Sequence, residues 1–451
     1  MGIGGYQRDT MPFLDDLARR SVWFANAFGG GPGSPLSFAS MFTSTYPLDY
    51  GGYGYVDRPR VLFPEALQEA GYRTIGIHSS PYLSAYFGYN RGWDTFRYLS
   101  YFKVTGSAAP MSPGLRRGTM KSKFLKRSAA GGKWLDRNLP FLALIFRVFE
   151  RGLLTIRKIV KDIISFKPHF FTAEEMNNEV ARVLDERDER ADRPLFLWLH
   201  YLDPHIPYGL FYRRGHGLLN ALKYHASDLL LFVFGEFPRL NRMFLPLYKR
   251  VYDDSLRYVD ENIKNLFSML SERGILNDDT MIVVHSDHGE GFLEHGTFGH
   301  GQYLFNEHIK VPLIIHAPGR LSEPASVERP VSLIDVAPTI LSFAGAQVPS
   351  TYRGVSLFDG AERDVVAQSS ESAGDLSDCR FTGIAIISRG YKLIRWKDEK
   401  MLFSLRDGME RENLYDKEIR VVQELEQRVL PYLPGDEYES SVPGWPPKSV
   451  S

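Results

Sequence analysis

The stretch "TMIVVHSDHGEGFLEHGTFGHGQ", residues 280–302, decides how the rest of the chain is read. Its first part is an apolar run with two adjacent valines, which predicts a fully buried strand over 280–286 running into Asp287. The remainder packs His288, His295 and His300 into thirteen residues, with four glycines between the first and the last. A loop so rich in His and Gly has little packing purpose, and function concentrates in such loops. Asp287 and His288, adjacent at a strand end, can both reach a divalent cation, and Gly289 lets the backbone turn away. An Asp capping a helix beside a surface His is the alternative for a bare pair, and the surrounding histidines weigh against it.

Outward from this stretch, strand and helix alternate. "FPEALQEAG" (63–71) predicts a helix closed by Gly71, and "YRTIGIHS" predicts the strand after it. Thr172 and Glu175 make a capping box for a helix to about residue 187, followed by the strand "PLFLWLHY". Leu256, Val259, Ile263, Leu266, Phe267 and Leu270 keep helical spacing up to Gly274. "VPLIIHAPG" and "SLIDVAPTILSFAG" repeat the theme. The alternation predicts an α/β fold: a doubly wound, mostly parallel sheet. After about residue 348 the segments shorten to "GIAIIS", "YKLIRW" and "KMLFSL", which predict a small C-terminal antiparallel-sheet subdomain with a last helix near 417–431. The domains expected are therefore 1–348 and 349–451.

Two stretches interrupt the alternation, and both are expected to be insertions, at about 103–170 and 209–247. The first holds a segment, 115–168, with fourteen Lys/Arg and three Asp/Glu. Arg147, Arg151, Arg157, Lys158 and Lys161 alternate there with Ile145, Phe149, Ile156, Val160 and Ile163. Two readings stand: a lid with solvated charges, or a basic amphipathic surface making peripheral contact with anionic lipid. Over the whole chain 54 basic residues balance 54 acidic ones, so charge predicts no nucleic-acid partner. The single cysteine, Cys379, excludes an intramolecular disulfide. No apolar run reaches the roughly 20 residues that span a bilayer, and no signal peptide stands at the start, so the chain as written reads as cytoplasmic.

Two more constellations carry chemistry. In "HYLDPHIPYG" (200–209) two prolines hold His205 in an extended loop at a strand end, where an imidazole can donate to an anionic oxygen or protonate a leaving group. An incidental turn histidine is the alternative. In "GPGSPLSFASMFTSTYP" (31–47) Pro35 suits the first turn of a helix, which makes Ser34 its expected N-cap. The same corner suits a nucleophile, because free N–H groups and the helix dipole favour an anion there. A metal would lower the hydroxyl pKa enough for attack.

These pieces, in this order, resemble the sulfatase branch of the alkaline phosphatase superfamily. "GYQRDTMPFLDDLARRSVWFANAF" is similar to the segment before the nucleophile in that family. "SPLSFASMFTSTYP" resembles its nucleophile motif, and "GWDTF", "KVPLIIHAPG", "LIDVAPTIL" and "GYKLIRW" resemble further blocks. The resemblance implies a metal-dependent sulfuric ester hydrolase, arylsulfatase-like, acting on an anionic ester that a glycan or lipid carries. It implies Ser34 at the nucleophile position, Asp287 and His288 as metal ligands, and His205 on the substrate oxygens. His300 stands where the family places a lysine. One divalent ion is implied, Ca²⁺ by family habit, with Mn²⁺, Mg²⁺ or Zn²⁺ as alternatives.

Two departures qualify the resemblance. Leu36 and Phe38 replace the Pro and Arg of the motif that directs conversion of the nucleophile to formylglycine, so Ser34 is expected to remain serine. An unmodified serine suits phosphoryl transfer, which makes hydrolysis of a phosphodiester or phosphomonoester, or phosphotransfer, the chemical alternative. The family also begins with a strand ending in acidic metal ligands, and Met1 aligns beyond it, so the N-terminus is expected to be incomplete. A non-catalytic protein of this fold binding an anionic glycan or lipid is the third reading.

Overall fold

The computed structural model describes residues 1–57, 59–100, 171–186, 192–206, 208, 238–321, 323–360, 362–372 and 379–433. The basic segment 115–168 and most of the second expected insertion, residues 209–237, lie outside them, so the lid and lipid readings find no test here. Two compact units divide the chain. One comprises Met1–Leu99, Ala173–Tyr201 and Arg257–Ser451, the other Ser100–Thr172 and Leu202–Leu256.

In the first unit, helix α1 (Pro12–Arg19) leads to β1 (Val22–Phe24) and β2 (Ala27–Phe28), then to α2 (Ser34–Thr43). Helix α3 (Phe63–Glu69), with Gly71 after it at φ 90°, feeds β3 (Arg73–His78) and β4 (Thr95–Tyr98). Helix α4 (Ala173–Asp185) precedes β5 (Leu195–His200), and α5 (Pro238–Glu272) ends two residues before Gly274, at φ 69°. From Arg257 onward α5 belongs to this unit. There Asp260 accepts the backbone N–H groups of Phe13 and Leu14, each at 2.9 Å. These donors have no partner inside their own first turn, so α5 caps α1.

Then come β6 (Ile282–His285), the hairpin β7 (Gly291–Phe292) and β8 (Phe298–Gly299), α6 (Asn306–Ile309), β9 (Lys310–Val311) and β10 (Leu313–His316). Strands β11 (Ala325–Val327) and β12 (Val331–Ser332) and helix α7 (Val336–Ala344) follow. β4, β3 and β5 form an all-parallel sheet in which His78 faces His200. A second sheet runs β11-β1-β10-β6, where β10 is antiparallel to both neighbours. β13 (Val365–Ser372), β14 (Cys379–Ser388), β15 (Tyr391–Trp396) and β16 (Glu399–Ser404) form the C-terminal antiparallel sheet, followed by α8 (Ile419–Val429). The fold is thus the α/β architecture expected, with a separate antiparallel sheet at the C-terminus.

The expected full burial of 280–286 needs correction. Strand β6 is half-buried along its length, and so is β5. Each is an edge strand with one neighbour among the described residues, β10 for β6 and β3 for β5. An apolar strand bonded on one side only keeps part of its surface exposed.

Helix α2 is buried nearly all round, and its Ser37, Ser40 and Thr43 hydroxyls donate to the Gly31, Ser37 and Ala39 carbonyls, so none of these three hydroxyls is left unsatisfied. Phe38, Met41 and Phe42 join the cluster built on Phe24, Leu313 and Ile315, with Trp198 edge-on to Phe42 at 5.0 Å. Leu36 and Ala39 join Ile384, Ile386, Leu393 and Leu402 of the C-terminal sheet. In the second unit Tyr208 packs edge-on to Tyr252 at 5.3 Å.

Candidate active site

Ser34 is not the N-cap that the sequence suggests. Gly33 takes that place in an extended conformation (φ −163°, ψ 157°), and Ser34 is the first helical residue, followed by Pro35. Gly33 has no side-chain oxygen to give the first turn, so the N–H groups there keep their affinity for an anion. Relieved of capping, the Ser34 hydroxyl lies 3.2 Å from His288 Nε2. His288 Nδ1 is 2.8 Å from the Gly289 carbonyl. A carbonyl only accepts, so Nδ1 carries a proton, and Nε2 is the nitrogen that meets the hydroxyl.

Asp287 completes the group, with Oδ2 3.5 Å from His288 Nε2 and side-chain exposures of 14% and 8% for the acid and the imidazole. Burial alone would raise the Asp287 pKa. His288, then His200, and the Ser34 hydroxyl outweigh it and hold the carboxyl well below the usual carboxylate range. Close backbone approaches fix these positions. A Cβ on Gly29 would meet the Asp287 carbonyl at 2.6 Å, and one on Gly289 would meet the Glu307 carbonyl at 2.2 Å.

His300 arrives through the β7–β8 hairpin and lies against His288, ring centroids 4.3 Å apart. Burial lowers its pKa, and Asp287 partly opposes this. His295 is different. Its Nδ1 meets Glu307 at 2.8 Å, its Nε2 meets the Glu410 carbonyl at 3.2 Å, and its ring stacks on Phe305. Both nitrogens are spent on holding the loop. His205 belongs to the second unit, where its Nδ1 meets the Ile206 carbonyl and its N–H bonds Leu202. Ser34, Asp287, His288 and His300 therefore converge within the first unit.

Two residues near this cluster were not singled out from the sequence. His200, at the end of β5, acts electrostatically on Asp287 and packs on Phe38 at 4.8 Å. Its signal was its place at a strand end. Glu290 meets His300, and its signal was its position across a Gly-flanked hairpin.

The donor chemistry fits a divalent cation in part. Asp287 Oδ2 is buried without a hydrogen-bond partner, an unusual state for a carboxylate oxygen, and His288 Nε2 lies 3.5 Å from it. Asp287 and His288 would hold the ion. Among the described residues no group of three His, Cys, Asp or Glu gathers around one point, so this pair falls short of a full ligand set.

Comparison with known proteins gives a consistent result. The family profile described as Sulfatase matches residues 1–346, and that described as N-sulphoglucosamine sulphohydrolase, C-terminal, matches 293–432. An N-acetylglucosamine-6-O-sulfatase of Bacteroides thetaiotaomicron is 40% identical over 111 residues, which are 24% of this chain and 19% of that protein. The match thus spans about a fifth of that relative's length. An arylsulfatase of Clostridium perfringens is 24% identical over 390 residues, 80% of this chain and 75% of that protein. A phosphonate monoester hydrolase structure from Agrobacterium radiobacter shares the fold, with a TM-score of 0.63 at 17% identity over 96% of this chain and 92% of that one. With a profile match over three quarters of its length, the chain belongs to the sulfatase family.

Proposed function

We propose that this chain hydrolyses sulfuric esters, with Ser34 as nucleophile, and that the ester is borne by a glycan. The observation that carries the reading is the Ser34 hydroxyl bonded to His288 Nε2 beside the ionised Asp287. Ser34 Oγ attacks sulfur as its hydroxyl proton leaves to solvent water, while His288 Nε2, 3.2 Å away, orients the hydroxyl. The bond from sulfur to the leaving oxygen breaks, and the alcohol departs with a proton. Water then attacks the sulfoserine and releases sulfate. The first-turn N–H groups of α2 face the charge that develops on the sulfuryl oxygens. A divalent ion bound by Asp287 and His288 would supply Lewis-acid stabilisation of the serine alkoxide, and Ca²⁺ is the proposed ion on family grounds. His205 is assigned to substrate oxygens from its motif alone, and His300 from its neighbourhood to His288. The glycan comes from the relative named for N-acetylglucosamine.

Phosphate or phosphonate ester hydrolysis is the second reading, and Phe38 is the observation that favours it. Phe38 is 2% exposed and packs edge-on against Trp198 and His200, so no guanidinium stands there to hold a formylglycine hydrate. Turnover of 4-nitrophenyl sulfate, bis(4-nitrophenyl) phosphate and 4-nitrophenyl phenylphosphonate, each with Ca²⁺, Mn²⁺, Mg²⁺ or Zn²⁺ added, separates the two. The sulfate is expected to be cleaved fastest. Faster cleavage of either phosphorus ester, with Ser34 unmodified by peptide mass, would establish the second reading.

A further inference from the structure

His300 stands where the family places a lysine, and the two residue types need different support. An ammonium is a point charge on a flexible stem. An imidazole has two distinct nitrogens, and the bond made by one decides what the other can do. Something must therefore set the His300 ring and its tautomer.

The hairpin supplies it. Gly291 pairs with Gly299 and Phe292 with Phe298. Continued one residue outward, this register sets Glu290 opposite His300, where antiparallel partners stand roughly 5 Å apart at Cβ. The side chains meet, with His300 Nδ1 3.1 Å from Glu290 Oε1 and 3.2 Å from Oε2. Both are withdrawn from solvent, with side-chain exposures of 17% for His300 and 6% for Glu290. The flanking residues, Gly289, Gly291, Gly299 and Gly301, contribute no side chain to hold either group. The approach of His300 Nδ1 to both Glu290 oxygens fits an Nδ1–H donated to the carboxylate.

We propose that Glu290 is a positioning residue for ester hydrolysis. Its carboxylate holds the His300 ring and keeps the proton on Nδ1, so that Nε2 is the nitrogen presented to substrate. This inference rests on the sulfatase reading above for the reaction, and on the hairpin alone for the ring.

Nitrogen-15 spectra of the histidine-labelled full chain test it directly, with His300 assigned by its loss in His300→Ala. The expected result is a protonated Nδ1 and a bare Nε2, and the opposite tautomer overturns the proposal. In Glu290→Leu the proton should move to Nε2 and kcat on an aryl sulfate should fall about 10- to 100-fold, as for other partners that orient a histidine, with KM changed less. Glu290→Gln keeps an accepting oxygen and should restore most of the rate. Glu290→Leu should add little once His300 is already alanine. An equal fold-loss in both backgrounds, or an unchanged kcat, overturns the proposal. A wild-type chain that cleaves no ester removes the sulfatase reading by itself, and the tautomer still decides whether Glu290 sets the ring.

Discussion

Ser34 shows how one position in the backbone decides a role. A serine at the N-cap spends its oxygen on the helix. Placed one residue later, behind Gly33, it turns that oxygen to His288. The sequence identified the corner and misplaced the cap by one residue, because Ser and Gly both serve as N-caps and the choice between them was settled by tertiary packing. His78 is a second residue whose environment sets its chemistry. It is fully buried, stacks on Tyr98 at 5.2 Å and gives its Nδ1 to the Ser80 carbonyl at 3.1 Å. Burial, with His200 adding to it, depresses its pKa to about 3. A folded pKa below the unfolded one stabilises the fold above pH ~6.5 and loses that stability as the pH falls toward 3. His78→Phe keeps the stack and removes the proton site. Chemical denaturation of wild type and variant from pH 7 to 4 should show the wild type losing about 1.4 kcal/mol more per pH unit once below the unfolded pKa. Parallel curves would refute the assignment.

At the scale of elements, the strand-to-hairpin passage from β6 through β8 carries most of the site. The sequence made its strand and its glycine-rich turn legible and drew attention to Asp287 and His288, since apolar runs and glycines report local conformation. Pairing does not show in the same way. That Glu290 faces His300 follows from a register set by a turn in which Leu293 adopts φ 68° and Gly296 φ 81°, and a leucine gives no advance sign of that conformation. The half-burial of β5 and β6 was equally hidden, because edge and central strands have the same apolar texture. The tight passage at Gly289 gives a prediction. With the Glu307 carbonyl 2.2 Å from where a Cβ would stand, Gly289→Ala must displace backbone on one side. Its thermal midpoint should drop by several degrees, consistent with a cost of roughly 1–3 kcal/mol for overpacking, and esterase activity should fall with it. A variant with the wild-type midpoint and rate would show that the turn relaxes freely.

For the molecule as a whole, the change of sequence texture after residue 348 marked the C-terminal sheet correctly but said nothing of what it supports. Within the first unit that sheet forms one side of the bed of α2 and also anchors the histidine loop. Lys392 on β15 is fully buried. Its Nζ meets Glu410 at 2.5 Å, the Leu304 carbonyl at 3.0 Å and Asn306 Oδ1 at 2.9 Å. Burial pulls its pKa below the ordinary lysine value, and Glu410 opposes this. Glu410 in turn accepts the Asn306 N–H at 2.7 Å, and its carbonyl holds His295. Such long-range ties are invisible to local pattern, because a lysine in an alternating strand reads as solvent-facing. Removing one partner of a buried pair costs about 3–5 kcal/mol, so Lys392→Met should be that much less stable to urea. Lys392→Met with Glu410→Gln should recover part of the loss. Equal stability of wild type and single variant would mean that the pair contributes nothing net. The proposed chemistry turns on Ser34. Side-by-side turnover of 4-nitrophenyl sulfate by the wild-type chain and by Ser34→Ala, each with its unfolding curve, tests it most directly. The account predicts sulfate release by the wild type and none above background by the variant, with the two unfolding curves nearly coincident because Gly33 keeps the cap. Equal turnover by the two proteins would contradict it.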